Sequence, residues 1–161
     1  MEASITARLN TMLIGREEVQ IDERGRVVLS KKKRERLGNP FFLGLSQLGC
    51  IEAYPEEELV RVVMEIEQAD RLNIGREAYG SFFSQNIFDD QKTDSQGRLV
   101  IPQRLRDLAK IQKDVVIVGS INKIQIWAKE EHEKFEADPL NYNRDYRAPI
   151  EQMYKIMRGQ D

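Results

Sequence analysis

Twice in this chain an aspartate stands four residues before an arginine, with a glycine directly before the arginine. The first set is Asp22, Gly25 and Arg26 in DERGRVVLSKKKRER; the second is Asp94, Gly97 and Arg98 in DSQGRLVIPQRLRDL. Two chemistries fit this spacing. The carboxylate can accept backbone N–H groups in a tight turn while glycine takes a positive φ. The guanidinium is then offered outward, where phosphate or a base edge would meet it. Alternatively, a pair of carboxylates could do acid–base work. That second chemistry lacks its supporting groups. The single histidine, His132, sits in a charged, helix-like stretch, and no metal-ligand spacing, nucleophile elbow or phosphate loop is visible. Cys50, in the apolar stretch GCIEAY, reads as a buried strand residue. Trp127 and Tyr54 read as core or interface anchors rather than base-stacking platforms. These residues point to binding, not catalysis, and to no metal, cofactor or small-molecule substrate.

Charge points the same way. Asp22–Arg36 holds seven of the chain's 25 Lys and Arg residues against three of its 27 Asp and Glu residues. The remainder, 18 basic against 24 acidic, is acidic. Ser30 suits a helix N-cap, yet Lys31, Lys32 and Lys33 follow it. Cations in a first helical turn oppose the helix dipole by roughly 0.3–1 kcal/mol each. An anion nearby would reverse that sign. The candidate binding residues are the arginines of the recurring Gly–Arg turns, Arg26 and Arg98, and the cations Arg24, Lys31, Lys33 and Arg104, with Asp22, Gly25, Asp94 and Gly97 shaping the turns.

The elements that must position these residues recur. Asp22, Gly25, Arg26 and Val28 return 72 residues later as Asp94, Gly97, Arg98 and Val100, and Arg34 falls on Arg106. Val27 and Leu29 become Leu99 and Ile101. FFLGLSQLGCIEAYPEEE resembles VVIVGSINKIQIWAKEEH after a one-residue shift that sets Tyr54 opposite Trp127. Each copy predicts a strand, a short helical turn, two strands around a tight turn, and an acidic helix start. Leu108, with Leu105, is expected to face inward. After Pro55, residues Leu59, Val62, Val63, Ile66 and Ala69 mark one helical face. After Pro149, Ile150, Met153, Tyr154 and Met157 mark another that could dock on a neighbouring subunit or on the chain's own body. Pro149 itself suits a first helical position.

A unit of about 45 residues rarely buries enough surface to fold alone, so the two copies are expected to share a core. The predicted fold is α+β, mainly β: two tandem repeats in one pseudo-symmetric barrel with flanking helices. The expected divisions are an N-terminal extension at 1–14, a first repeat at 15–58, a helical connection at 59–86, a second repeat at 87–135, and a tail with a short amphipathic helix at 136–161. No apolar run reaches the roughly 18 residues a membrane span needs, no signal-type segment opens the chain, and one cysteine gives no internal disulfide. A cytoplasmic location is expected.

The paired D-x-x-x-R motifs, with GRLVIPQRLRDLA, VVIVGSINKIQIW and the Tyr54–Pro55 pair, resemble the MraZ family. That family comprises bacterial transcriptional regulators with an AbrB-like barrel in tandem duplicate. The resemblance runs from about Gly15 to Phe135. It implies binding of double-stranded DNA through Arg26 and Arg98, homo-oligomeric rings, short direct repeats as targets in a cell-division and cell-wall gene cluster, and association with the nucleoid. Adding Arg24, Arg104 and the basic helix start to the contact set rests on charge alone. Ser30 stands where the family usually has proline. An AbrB-type antitoxin-like regulator, or an interaction scaffold with a basic patch, is the alternative.

Overall fold

The structure is a computed structural model that describes residues 2–160. α1 (Glu2–Thr11) leads into the first copy: β1 (Arg16–Gln20), β2 (Arg26–Val28), α2 (Lys31–Leu37), β3 (Phe41–Leu45), β4 (Ile51–Tyr54) and α3 (Glu56–Glu67). α4 (Ile74–Gln85) joins it to the second copy: β5 (Phe88–Gln91), β6 (Arg98–Val100), α5 (Gln103–Leu108), β7 (Asp114–Gly119), β8 (Ile124–Ala128) and α6 (Lys129–Ala137). α7 (Arg144–Met157) follows. β1 and β5 begin 72 residues apart and β4 and β8 begin 73 apart, so the repeat read in the sequence is a repeat of structure.

The strands form a six-stranded antiparallel sheet, β1-β7-β8-β4-β3-β5, and a separate two-stranded ribbon, β2-β6. The order of the large sheet reads the same from either end once the copies are exchanged. Among the described residues only the two hairpins, β3·β4 and β7·β8, pair within a copy. The other four pairings, β1·β7, β2·β6, β3·β5 and β4·β8, cross between copies. Each copy thus lends its leading strand to the other's hairpin.

Alternation along the strands sets two cores. Leu43, Ile51, Ile117, Ile124 and Ile126 face one side of the sheet, and the ribbon lays Val27 and Leu99 onto it, with Leu29 and Ile101 beside them. Cys50, Val116 and Trp127 face the other side. There α6 brings Phe135 to stack on Trp127 at 5.0 Å between ring centroids. The expected turns form as read: Gly49 takes φ +94° after Ser46, whose Oγ accepts the Leu48 N–H at 3.1 Å.

Three expectations need correction, and a closed barrel is not shown. The chain is not mainly β: 43% of it is helical and 24% is strand. Much of the difference is α1, in the segment expected as an extension, and α7, which runs 14 residues; α4 lies within the expected helical connection and is started by the Asn73 side chain capping the Arg76 N–H at 3.0 Å. A barrel does not close through its ladders among the described residues, since β1 and β5 each keep one unpaired edge. Leu108 is 44% exposed because α5 ends there, leaving only Leu105 inside. Pro149 lies within α7, not at its start; Arg144 begins the helix five residues earlier. The stripe after Pro149 packs largely onto α4, where Gly75 lets the α7 backbone approach closely: a Cβ there would lie 2.5 Å from the Met153 carbonyl oxygen. On α3, the predicted apolar face is half-buried, as its periodicity requires.

Candidate nucleic-acid interface

The two D-x-x-G-R turns have one geometry. Asp22 Oδ1 accepts the backbone N–H of Arg24 and of Arg26, each at 2.9 Å. Asp94 Oδ1 accepts those of Gln96 and Arg98, each at 2.9 Å. Gly25 and Gly97 take φ +77° and +79°, where a side chain is strained. The other carboxylate oxygen receives Nε of the motif arginine, at 2.7 Å in both copies. Asp22 and Asp94 are therefore turn-formers that also orient a guanidinium. Nε is held; among the described residues no hydrogen bond engages the Nη groups of Arg26 or Arg98. Those are the edges with which an arginine grips a phosphate or a guanine.

The ribbon fixes how the two arginines stand. Arg26 lies opposite Val100, Val27 opposite Leu99, and Val28 opposite Arg98. Because side chains alternate, Val27 and Leu99 go to the core and the other four face outward. Arg26 and Arg98 sit diagonally on that outer face, with Cα atoms about 7–8 Å apart for a diagonal pair.

The turns are braced across the copies. The Arg106 guanidinium of α5 covers Gly25, where an added Cβ would lie 2.6 Å from its Cζ. The Arg34 guanidinium of α2 covers Gly97, 2.7 Å from the equivalent position. Arg106 Nε also donates to the Ile101 carbonyl at 2.9 Å, and Ile101 N–H donates to the Gly25 carbonyl at 2.9 Å. The repeat matches Arg34 with Arg106, but nothing in sequence spacing shows that each reaches into the other copy.

The remaining candidates divide. Arg24 is exposed at the tip of the first turn, where the second turn has Gln96. Lys31 is exposed, with Glu35 at 4.0 Å. Arg104 is exposed on α5, with Nη2 3.3 Å from Asn86 Oδ1. Lys33 is the exception and is withdrawn from the contact set. Its side chain is 5% exposed and Nζ lies 2.7 Å from Glu17 of β1. Ser30 does cap this helix, accepting the Lys33 N–H at 3.4 Å, and that turn rotates Lys33 inward while Lys31 and Lys32 stay in solvent. A substitution separates these roles. Lys33→Ala is expected to strip Glu17 of its partner and destabilise the fold by about 1–3 kcal/mol. Replacing Lys31 and Lys32 is expected to leave the thermal midpoint nearly unchanged, as surface substitutions do. Thermal melts of both variants decide it.

Acid tests the turns. The Arg26 backbone N–H, then the Arg26 side chain, hold the Asp22 carboxyl below the usual carboxylate range; Arg98 does the same for Asp94. A carboxyl whose folded value is lowered adds stability above its unfolded value, about 3.9, and loses it as pH falls through the folded value. Melting midpoints are therefore expected to hold above about pH 5 and to fall faster below pH 4 in the wild type than in the Asp22→Asn, Asp94→Asn chain.

The other groups singled out in the sequence are structural. His132 is 5% exposed and packs edge-on to Trp127 at 5.5 Å; burial lowers its pKa, outweighing the opposing pull of Glu136. Tyr54 is buried and its hydroxyl donates to Glu52 at 2.5 Å. Burial pushes the Cys50 thiol well up, away from reactive thiolate. Among the described residues no three His, Cys, Asp or Glu side chains gather as a metal would require, and no helix is long and apolar enough to cross a membrane.

Fold and site together define an internally duplicated protein with one arginine-bearing ribbon at its pseudo-twofold axis. Comparison with known proteins gives it a family. A family model described as "MraZ protein, putative antitoxin-like" matches residues 89–147. The transcriptional regulator MraZ of Finegoldia magna is 35% identical over 127 residues, covering 76% of this chain and 86% of that protein. That of Lachnoclostridium phytofermentans is 33% identical over 135 residues, covering 84% and 94%. That of a Thermoanaerobacter species is 35% identical over 124 residues, covering 77% and 86%. The chain belongs to the MraZ family. These relatives are named as regulators of transcription, not as enzymes.

Proposed function

We propose that this chain is a cytoplasmic, nucleoid-associated transcriptional regulator that binds double-stranded DNA in a sequence-specific manner. Its targets are short direct repeats controlling the cell-division and cell-wall gene cluster to which it belongs. One observation carries the reading: the ribbon presents Arg26 and Arg98 in matching geometry, each oriented by an aspartate through Nε and open at its Nη groups. Arginine contacts to guanine edges would supply sequence, while Arg24, Lys31 and Arg104 around them meet phosphate. A near-neutral chain can bind DNA this way when several copies act together. We infer a closed homo-oligomeric ring that sets one modest basic face at regular intervals, so that each further contact is intramolecular. The proposed assembly of two tandem AbrB-like repeats, 15–58 and 87–135, joined at 59–86 and flanked by 1–14 and 136–161, gives each subunit one such face.

The test is selection of duplexes from a random-sequence pool by the purified chain, with assembly mass measured by light scattering. A defined sequence is expected to enrich, and the mass is expected well above the 18.7 kDa of one chain. For that duplex, replacing Lys31 should reduce the slope of log affinity against log salt by about 0.9 for each phosphate the chain no longer neutralises. A chain that enriches no duplex but binds heparin and acidic proteins alike is a general polyanion scaffold. Monomer at all micromolar concentrations removes the ring.

A further inference from the structure

Half of the ribbon's outer face is apolar. Val28 is 51% exposed and Val100 is 54% exposed. Each stands directly opposite a motif arginine: Val28 across from Arg98, Val100 across from Arg26. They recur at equivalent places in the two copies, so the four outward side chains are Arg–Val on one strand and Arg–Val on the other. The neighbouring turns do not keep such symmetry, with Glu23 and Arg24 against Ser95 and Gln96. A scattered exposed valine calls for no explanation. Two of them, in register with two arginines on the face of a three-residue ribbon, do.

A two-stranded ribbon fits the major groove of DNA. Resting on the reading of this face as the DNA-binding one, its valines would meet base edges between the arginines. A valine has no hydrogen-bonding group. Against a base edge offering only donors and acceptors it would remove water and return nothing. The one apolar group on the floor of the major groove is the C5-methyl of thymine. We propose that Val28 and Val100 are specificity-determining residues that read thymine by its C5-methyl, so that each copy contributes an arginine–valine couple selecting a guanine and a thymine. 5-Methylcytosine carries the same methyl in the same place and would satisfy the same valine. Each valine also acts by exclusion, disfavouring unmethylated G·C pairs at its position.

Uracil differs from thymine only in lacking that methyl. The experiment takes the duplex enriched by the full-length chain and replaces thymine with deoxyuridine one position at a time, following affinity by fluorescence anisotropy. Removing one methyl from beneath a valine should weaken binding about fourfold, the equivalent of ~0.8 kcal/mol. Two such positions per bound subunit are expected. Val28→Ala should erase the effect at one of them and Val100→Ala at the other, leaving melting temperature and assembly mass unchanged. Wild-type affinity that ignores uracil at every position overturns the proposal and leaves DNA binding intact. So do alanine variants that keep the full uracil effect. A changed assembly mass with unchanged uracil sensitivity assigns the valines to a subunit interface and also overturns it. If no duplex enriches at all, the DNA-binding reading falls and takes the proposal with it.

Discussion

Replacing Arg26 and Arg98 together with alanine is expected to abolish preference for the selected duplex while the chain stays folded. A bidentate arginine–guanine contact discriminates by about 1–3 kcal/mol. Two per subunit give between roughly 30-fold and 10⁴-fold in specific affinity, before multiplication through an assembly. The structural cost is small. The ion pairs removed, Arg26–Asp22 and Arg98–Asp94, are partly exposed, and such pairs contribute little to stability. The turns survive because Asp22 Oδ1 and Asp94 Oδ1 bond backbone N–H groups that alanine retains. Residual binding to random duplex should persist through Arg24, Lys31, Lys32 and Arg104, with its usual steep salt dependence. Anisotropy titrations of selected and random duplex measure both effects. A double variant that keeps its assembly mass and still discriminates as the wild type does would move the site elsewhere on the molecule.

Separating the copies is expected to unfold both. Residues 1–86 and 87–161, produced apart, each retain one hairpin and lose four of the six strand pairings, because β1·β7, β2·β6, β3·β5 and β4·β8 all cross between copies. An isolated hairpin is marginal in water. The core goes too: Val27 and Leu29 come from one half, Leu99 and Ile101 from the other, and all four are at most 1% exposed. Fully burying such a side chain contributes about 1.5–3 kcal/mol, against a total stability of about 5–15 kcal/mol for a domain. Gly25 and Gly97 would also lose the arginines that cover them. Circular dichroism should show little regular structure in either half and no cooperative melt, with both regained when the halves are co-expressed. A cooperative melt from one half alone would contradict the shared core.

The parts of this molecule that can be read from its sequence are those the repeat writes twice. Asp22 and Asp94 as turn residues, Gly25 and Gly97 at positive φ, the alternation of Ile124 and Ile126 against Trp127, and the Ser46–Gly49 turn all follow from local chemistry. What does not show there is set by partners distant in sequence. β1, with the charged sequence REEVQ, has no strand pattern of its own and is a strand because β7 offers an edge. α4 gains its place from α7 and the close approach at Gly75. Lys33 resembles its neighbours in sequence, and only the fold sets Glu17 beside it. Arg34 and Arg106 are visible as a matched pair, but their reach across the copies depends on strand exchange that no spacing records.

Guanidinium accessibility tests the proposed DNA-binding face most directly. The chain is treated with an arginine-selective dicarbonyl reagent in the presence and absence of the selected duplex, and modification is read residue by residue by mass spectrometry. Arg26 and Arg98 are expected to lose most of their reactivity when DNA is bound, while Arg71 and Arg158, in the loop before α4 and at the end of α7, keep theirs. Arg26 and Arg98 equally reactive with and without bound duplex, with protection appearing instead at Arg71 or Arg158, would place the DNA on the helical layer and not on the ribbon.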